Sequence, residues 1–85
     1  MLNVNSAPSY DYRIFMEEQG QKVLIASYFS AELPPAIGKV LDIREYKEAS
    51  EYPDQVKVLS VEEPAHTAPS IVAHETIVFV MVEPV

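Results

Sequence analysis

The longest apolar run in the chain is Ile77-Val78-Phe79-Val80-Met81-Val82, which follows Thr76 near the C-terminus. A strand with one face in water alternates apolar and polar residues, because successive side chains point to opposite sides. This run does not alternate, so both of its faces need cover. It is also much shorter than the roughly 20 apolar residues of a membrane-spanning helix. We therefore expect a central strand, or a strand whose outer face is covered by another subunit.

The length of the chain favours association with a second copy. Its 85 residues predict a single small domain over 1–85, and a core of this size supplies no more than about 3–5 kcal/mol unless disulfides, a metal or oligomerisation add to it. The chain has no cysteine, which excludes disulfides and thiolate metal sites and suits a reducing compartment. The sequence thus predicts a homo-oligomer, in the simplest case a dimer, with Val78, Val80 and Val82 at the interface.

Thirteen acidic residues against six basic ones give the chain a net charge of −7. This charge repels phosphate and argues against direct nucleic-acid binding. It indicates either simple solubility or a basic protein partner, for example a nucleic-acid-binding protein whose ligand the acidic surface would imitate. The N-terminal residues lack the basic start and apolar core of a signal peptide, and no segment is long enough to cross a membrane. These features predict a cytoplasmic protein without a membrane partner.

Alternation of apolar and polar residues, together with turn residues, predicts a mainly β chain. The five expected strands lie at residues 10–17, 22–29, 36–43, 55–61 and 76–82. A loose arm (1–9) precedes them, and a mobile proline-rich loop (62–70) separates the last two. Gly20 is expected in the first turn and Gly38 in a bulge or sharp bend. The polar stretch 44–54 fits a short helix as well as a surface loop. This pattern favours a small antiparallel five-stranded barrel or rolled sheet.

A period of two also assigns side chains to faces. Phe15 interrupts the polar side of the first strand. In the second, one face is expected to carry Val23, Ile25 and Phe29, and the other Leu24, Ala26 and Tyr28. In the fourth, Val56 and Val58 are expected opposite Leu59 and Val61, and in the last, Ile77, Phe79 and Met81 opposite Val78, Val80 and Val82.

The middle of the chain contains Leu33-Pro34-Pro35-Ala36-Ile37-Gly38-Lys39-Val40, then Tyr46, Tyr52, Val56-Lys57-Val58 and Val61. This spacing resembles small uncharacterised bacterial and phage proteins with an SH3-like barrel, often carried on mobile elements. The chain departs from their pattern in its second proline and in a longer spacer before Val56. The resemblance implies an SH3-like fold and no catalytic residues.

No residue pattern predicts an enzyme. His66 and His74, the two histidines, are separated by eight positions with Pro69 between them, which matches no metal-binding spacing. The carboxylate pairs Glu17-Glu18 and Glu62-Glu63 lie at the ends of predicted strands, and adjacent residues on a strand point to opposite faces, so neither pair forms a natural dyad. Nucleophile elbows and phosphate-binding loops need glycines that the chain does not have. We expect no catalytic residue, metal or cofactor.

The five tyrosines are more than a small core holds easily with every hydroxyl satisfied. Tyr28, Tyr46 and Tyr52 are therefore candidates for a recognition surface, since tyrosine is favoured at binding hot spots; the alternative is that the rings point inward and the hydroxyls outward. The sequence predicts a non-enzymatic, oligomeric protein–protein interaction module. Two alternatives are a small-molecule binder with its pocket at the barrel mouth or subunit interface, and an acidic inhibitor that mimics nucleic-acid charge.

Overall fold

A computed structural model describes residues 9–62 and 75–85. Most of the predicted N-terminal arm, both histidines and all of the predicted loop except Glu62 lie outside these residues. Five strands are present: β1 (Ser9–Glu18), β2 (Gln21–Ser30), β3 (Val40–Asp42), β4 (Gln55–Glu62) and β5 (Glu75–Pro84). They form one strongly curled sheet, a half-barrel, in the order β2-β1-β5-β4-β3. No helix long enough to cross a membrane is found in the described part of the chain.

The prediction that the last apolar run is a central strand is confirmed, because β5 lies in the middle of the sheet. The expected all-antiparallel arrangement is wrong at one pair. β5 runs antiparallel to β4 but parallel to β1, with Tyr12 beside Val78 and Ile14 beside Val80. An alternating pattern is the same in either chain direction, so it predicts which side chains share a face and not how a strand is oriented.

The inward face of the sheet forms a continuous apolar core. The residues that share it are buried: Tyr12, Ile14, Met16, Ile25, Ala26, Ile43, Val56, Val58, Val78, Val80 and Val82. A short chain can bury this many residues because the sheet is curled. The curl brings the inward faces of β1, β5 and β4 toward the residues that follow β3. The barrel-like fold class predicted from the sequence is confirmed at this level.

Two β-bulges correct the predicted faces. The register between β1 and β2 shifts between Ile14 and Phe15, so that both Ile25 and Ala26 are buried while Leu24 and Phe29 are exposed. A second shift lies between Val58 and Ser60, and it leaves Leu59 exposed and turns Val61 toward the core. A bulge inserts one unpaired residue and reverses the in–out pattern beyond it, which a strict period of two does not anticipate.

Both glycines lie in turns, as the sequence predicts. Gln19 and Gly20 both have positive φ, 53° and 82°, as a two-residue type I′ hairpin loop requires. Gly38 has φ of 94° within a turn closed by a hydrogen bond from Lys39 N to the Ala36 carbonyl at 3.1 Å. This bend explains why β3 is only three residues long and starts after the predicted strand 36–43 does.

Residues 43–54 form turns, so the loop alternative is confirmed and the short helix is wrong. This segment spans the gap between the two edges of the sheet. It leaves β3 at Ile43, which is buried, and forms a bridge between Lys47 and Ala26 of β2. The Glu48 N–H donates to the Ile25 carbonyl at 2.7 Å. The loop therefore covers the middle of the β2 edge, the kind of edge that otherwise invites unwanted strand pairing.

Candidate functional site

The sequence-predicted interface residues belong to the core of a single chain. Val78, Val80 and Val82 are exposed by only 0%, 0% and 1%, because they pair with the inward-facing residues of β1 and β4. They offer no surface to a second copy, and their placement at an interface is corrected. The other face of the same strand, which carries Ile77, Phe79 and Met81, is the one that remains partly open.

An outer apolar face therefore lies on the convex side of the sheet, across β2, β1 and β5. We define it by the outward-pointing apolar residues Phe15, Leu24, Phe29, Ile77, Phe79 and Met81. Cross-strand pairing connects them, since Phe15 lies between Leu24 and Met81, and the rings of Phe15 and Phe79 are in contact. Phe29 is 65% exposed, Leu24 38% and Ile77 36%. Contiguous exposed apolar patches of this kind mark interaction sites more often than isolated apolar residues do.

The charges around this face largely offset one another. Five acidic and three basic residues occupy outward positions in the register of β1, β2, β4 and β5: Asp11, Glu17, Glu62, Glu75 and Glu83, with Arg13, Lys22 and Lys57. Their formal charges sum to −2, whereas the whole chain carries −7. Asp11 and Arg13 form an ion pair at 2.9 Å, and Lys22 and Lys57 are directly opposite Glu17 and Glu83. Among the described residues, more of the net negative charge therefore lies away from this face than on it.

A recess of about 270 Å³ opens at one end of the outer apolar face. The Phe15 and Phe79 rings and Met81 supply its apolar lining, and Ser60, Lys22 and Glu62 its polar lining. A second recess of about 310 Å³ lies toward the other end, beside Phe29, Asp11 and Arg13. The sequence indicated the first recess only through Phe15, which interrupts the polar side of β1.

Two of the three tyrosines predicted for a recognition surface, Tyr28 and Tyr46, are stacked on each other. Four rings form a row, Tyr10-Tyr12-Tyr28-Tyr46, with successive centroids 5.7, 5.3 and 4.5 Å apart. Tyr12 is buried and its hydroxyl donates a hydrogen bond to the Glu32 carbonyl. Tyr46, at the end of the row, is 43% exposed. Tyr52 is half-buried and packs against the core, so of the three predicted residues the structure brings Tyr28 and Tyr46 together.

Burial raises the pKa of the Tyr28 hydroxyl above its ordinary value, and the neighbouring Tyr46 and Glu32 raise it further. Near Tyr46, the Arg44 side chain donates to the Asp42 carboxylate at 3.0 and 3.2 Å. These bonds, followed by one from the Arg44 backbone N–H, lower the pKa of the exposed Asp42 carboxyl. Both shifts suit a structural arrangement in which Tyr28 is neutral and Asp42 is charged at neutral pH.

In residues 9–62 and 75–85, no three histidine or carboxylate side chains are close enough together to hold a metal ion. The described side chains with buried polar atoms all have hydrogen-bond partners. In comparisons with protein-family models, curated proteins and solved structures, nothing matches the chain.

Proposed function

We propose that this chain is a non-enzymatic interaction module that binds a second copy of itself through the outer apolar face. The observation that carries the proposal is a partly exposed apolar surface that carries little of the net charge of an acidic protein. Two acidic chains repel each other least where their local charge is close to zero, and salt screens the remaining charges beyond about 8 Å at physiological ionic strength. Self-association on this face is therefore electrostatically permitted.

The face also has the composition of an interface. Aromatic residues and methionine are enriched at the buried centres of protein–protein interfaces and charged residues are depleted there. Here Phe15, Phe79 and Met81 lie at the centre, and cross-strand charge pairs such as Lys57 with Glu83 lie at the margin. A two-fold dimer would bury the same surface on both copies. Such a dimer would also supply the stability that a core of this size gives only in small measure.

The test is the subunit count in solution, measured by light scattering after size exclusion and by native mass spectrometry at tens of micromolar. We expect a dimer, and we expect Ile77→Asp to shift it to monomer with the circular dichroism spectrum retained. Ile37→Asp is the matched control, because Ile37 is 70% exposed in the 36–39 turn and outside the face. A wild-type monomer throughout would overturn the proposal. A co-purified small molecule that is released on unfolding would favour the small-molecule binder instead.

The exposed end of the tyrosine row supports a second candidate, a basic protein partner. Tyr46 lies next to a polar recess that it lines with Asp42, Arg44 and Glu45. Arg44 is paired with Asp42 and Lys47 with Asp54, while Glu45, Glu48 and Glu51 are exposed on the same loop. A cationic side chain could stack on the Tyr46 ring and face these carboxylates. We expect a poly-arginine peptide to bind with strong salt dependence and to bind Glu45→Gln more weakly, with Glu17→Gln, on another face, as the control.

A further inference from the structure

Phe29 is the most exposed residue of the outer apolar face. It lies near the end of β2, directly opposite Asp11, and 65% of its surface is open to solvent. Its flanks are charged, since Asp11 and Arg13 share the recess beside it. A large ring that projects from an apolar face and is bordered by one carboxylate and one guanidinium has the form of an interface anchor.

The recess at the other end of the face has a complementary form. Its lining of phenylalanine and methionine is apolar, and it is bordered by one ammonium, Lys22, and one carboxylate, Glu62. Its volume of about 270 Å³ is just below the roughly 300–1,000 Å³ of most small-molecule pockets. A single aromatic side chain therefore suits it better than a drug-sized ligand does.

The two features are separated in a way that suits two-fold symmetry. Asp11, opposite Phe29, and Phe15, in the recess, are four residues apart on β1, which corresponds to about 13 Å at roughly 3.3 Å per residue. A two-fold axis midway between them, near Arg13, would place each Phe29 over the recess of the other copy. Arg13, near the axis, would then lie close to Arg13 of the second copy, and each guanidinium is offset by its own ion pair with Asp11 at 2.9 Å.

From these observations we infer that the dimer is held by reciprocal insertion, with Phe29 of each copy seated in the Phe15–Phe79–Met81 recess of the other. This inference rests on the proposed function and adds the partner residues to it. Each insertion would bury one exposed aromatic ring, and the isologous arrangement repeats it twice per dimer. The two Phe29 residues themselves would lie at opposite ends of the interface.

Cross-linking tests the arrangement directly, because the chain has no cysteine of its own. Phe29→Cys and Ser60→Cys are made as separate proteins, mixed and treated with a short bismaleimide. A bismaleimide is preferred to oxidation because a seated ring holds the two backbones farther apart than the 4.4–6.8 Å between the Cα atoms of a disulfide. We expect a covalent heterodimer from this mixture and little product from Phe29→Cys alone. Ile37→Cys mixed with Ser60→Cys is the control and should give none.

A second measurement separates this inference from the proposed function. Phe29→Ala should raise the dissociation constant of the dimer at least tenfold. The control, Leu33→Ala, changes a residue that is 76% exposed in the β2–β3 connection and should leave the dissociation constant unchanged. If the dimer persists but cross-links Phe29→Cys to itself, or is unaffected by Phe29→Ala, reciprocal insertion is overturned and self-association stands. If wild type is a monomer, both are overturned.

Discussion

The rings of Phe15 and Phe79 meet edge to face on the outward side of the parallel strands β1 and β5, with centroids 5.6 Å apart and planes at 87°. On the inward side of the same strands, Ile14 lies directly beside Val80, and both are fully buried. The centre of the sheet is therefore apolar on both faces. The inward face is covered by the chain itself, and the outward face is covered only in part.

This difference predicts unequal effects for two isoleucines. Ile14→Ala should lower the free energy of unfolding by about 2–5 kcal/mol, because it removes buried methyl groups and leaves a cavity. Ile77→Ala, at a residue 36% exposed, should lower it by much less. Urea unfolding at one fixed protein concentration measures both. Equal losses would mean that the outer face is as well covered as the core.

The raised pKa of Tyr28 predicts a loss of stability in alkali. A tyrosine whose pKa is higher in the folded state than in the unfolded state keeps its proton longer when folded. Its stabilising contribution is complete below the unfolded pKa of about 10 and is lost as pH rises through the folded pKa. Ultraviolet titration of tyrosinate should show a late-ionising contribution that Tyr28→Phe removes. Tyr46→Phe should move the pKa of Tyr28 part of the way back, since Tyr46 is the second cause of the shift.

Lys47 holds the loop that spans the edges of the half-barrel. Its ammonium donates to the carbonyls of Ser50 and Tyr52 at 3.2 and 2.7 Å and pairs with Asp54 at 2.6 Å. Lys47→Met should cost about 1.5–3 kcal/mol, the range for hydrogen bonds to charged groups. The control, Lys39→Met, replaces an exposed lysine and should change stability by no more than about 0.5 kcal/mol. A loss as small as the control's would show that the loop holds its position without Lys47.

The backbone conformation of the loop between β1 and β2 predicts a substitution that increases stability. Gln19 has a positive φ of 53°, a conformation that most side chains adopt at a cost and that asparagine tolerates better. Gln19→Asn creates the Asn-Gly pair favoured in type I′ turns and should raise the free energy of unfolding by up to about 1 kcal/mol. Gly20→Ala, at φ of 82°, should have the opposite effect. Thermal melts of the two variants should therefore shift in opposite directions.

Much of the fold could be predicted because local signals agree with it. Alternation located β1, β2, β4 and β5 to within a few residues, and the two glycines marked the two positive-φ turns. The direction of β5 relative to β1 could not be predicted, because side-chain alternation carries no information on chain direction. The bulges at Ile25 and Leu59 could not be predicted either, since the long-range pairing of the strands determines where an extra residue is accommodated.

The candidate site was predicted less well. The two-faced run in β5 indicated that one face needs a partner, but it did not indicate which. Which face of β5 is buried depends on the curl of the sheet. The curl encloses Val78, Val80 and Val82 and leaves Ile77, Phe79 and Met81 on the outer face. Phe29 could not be recognised as exposed, because the bulge at Ile25 reverses the face on which it lies. The SH3-like and mobile-element resemblance remains a prediction.

The position of β5 between β1 and β4 has a consequence for how the protein is made. Within the sheet, the strand pairings that join its two halves both use β5. The contacts of β5 with β1 connect residues 66 positions apart, as in Ser9 with Glu75. Such distant contacts slow folding, because a long loop must close before they form. On the ribosome, the first hairpin can form early, but the sheet stays in two pieces until β5 emerges. The sheet is therefore completed only after β5 has left the ribosome.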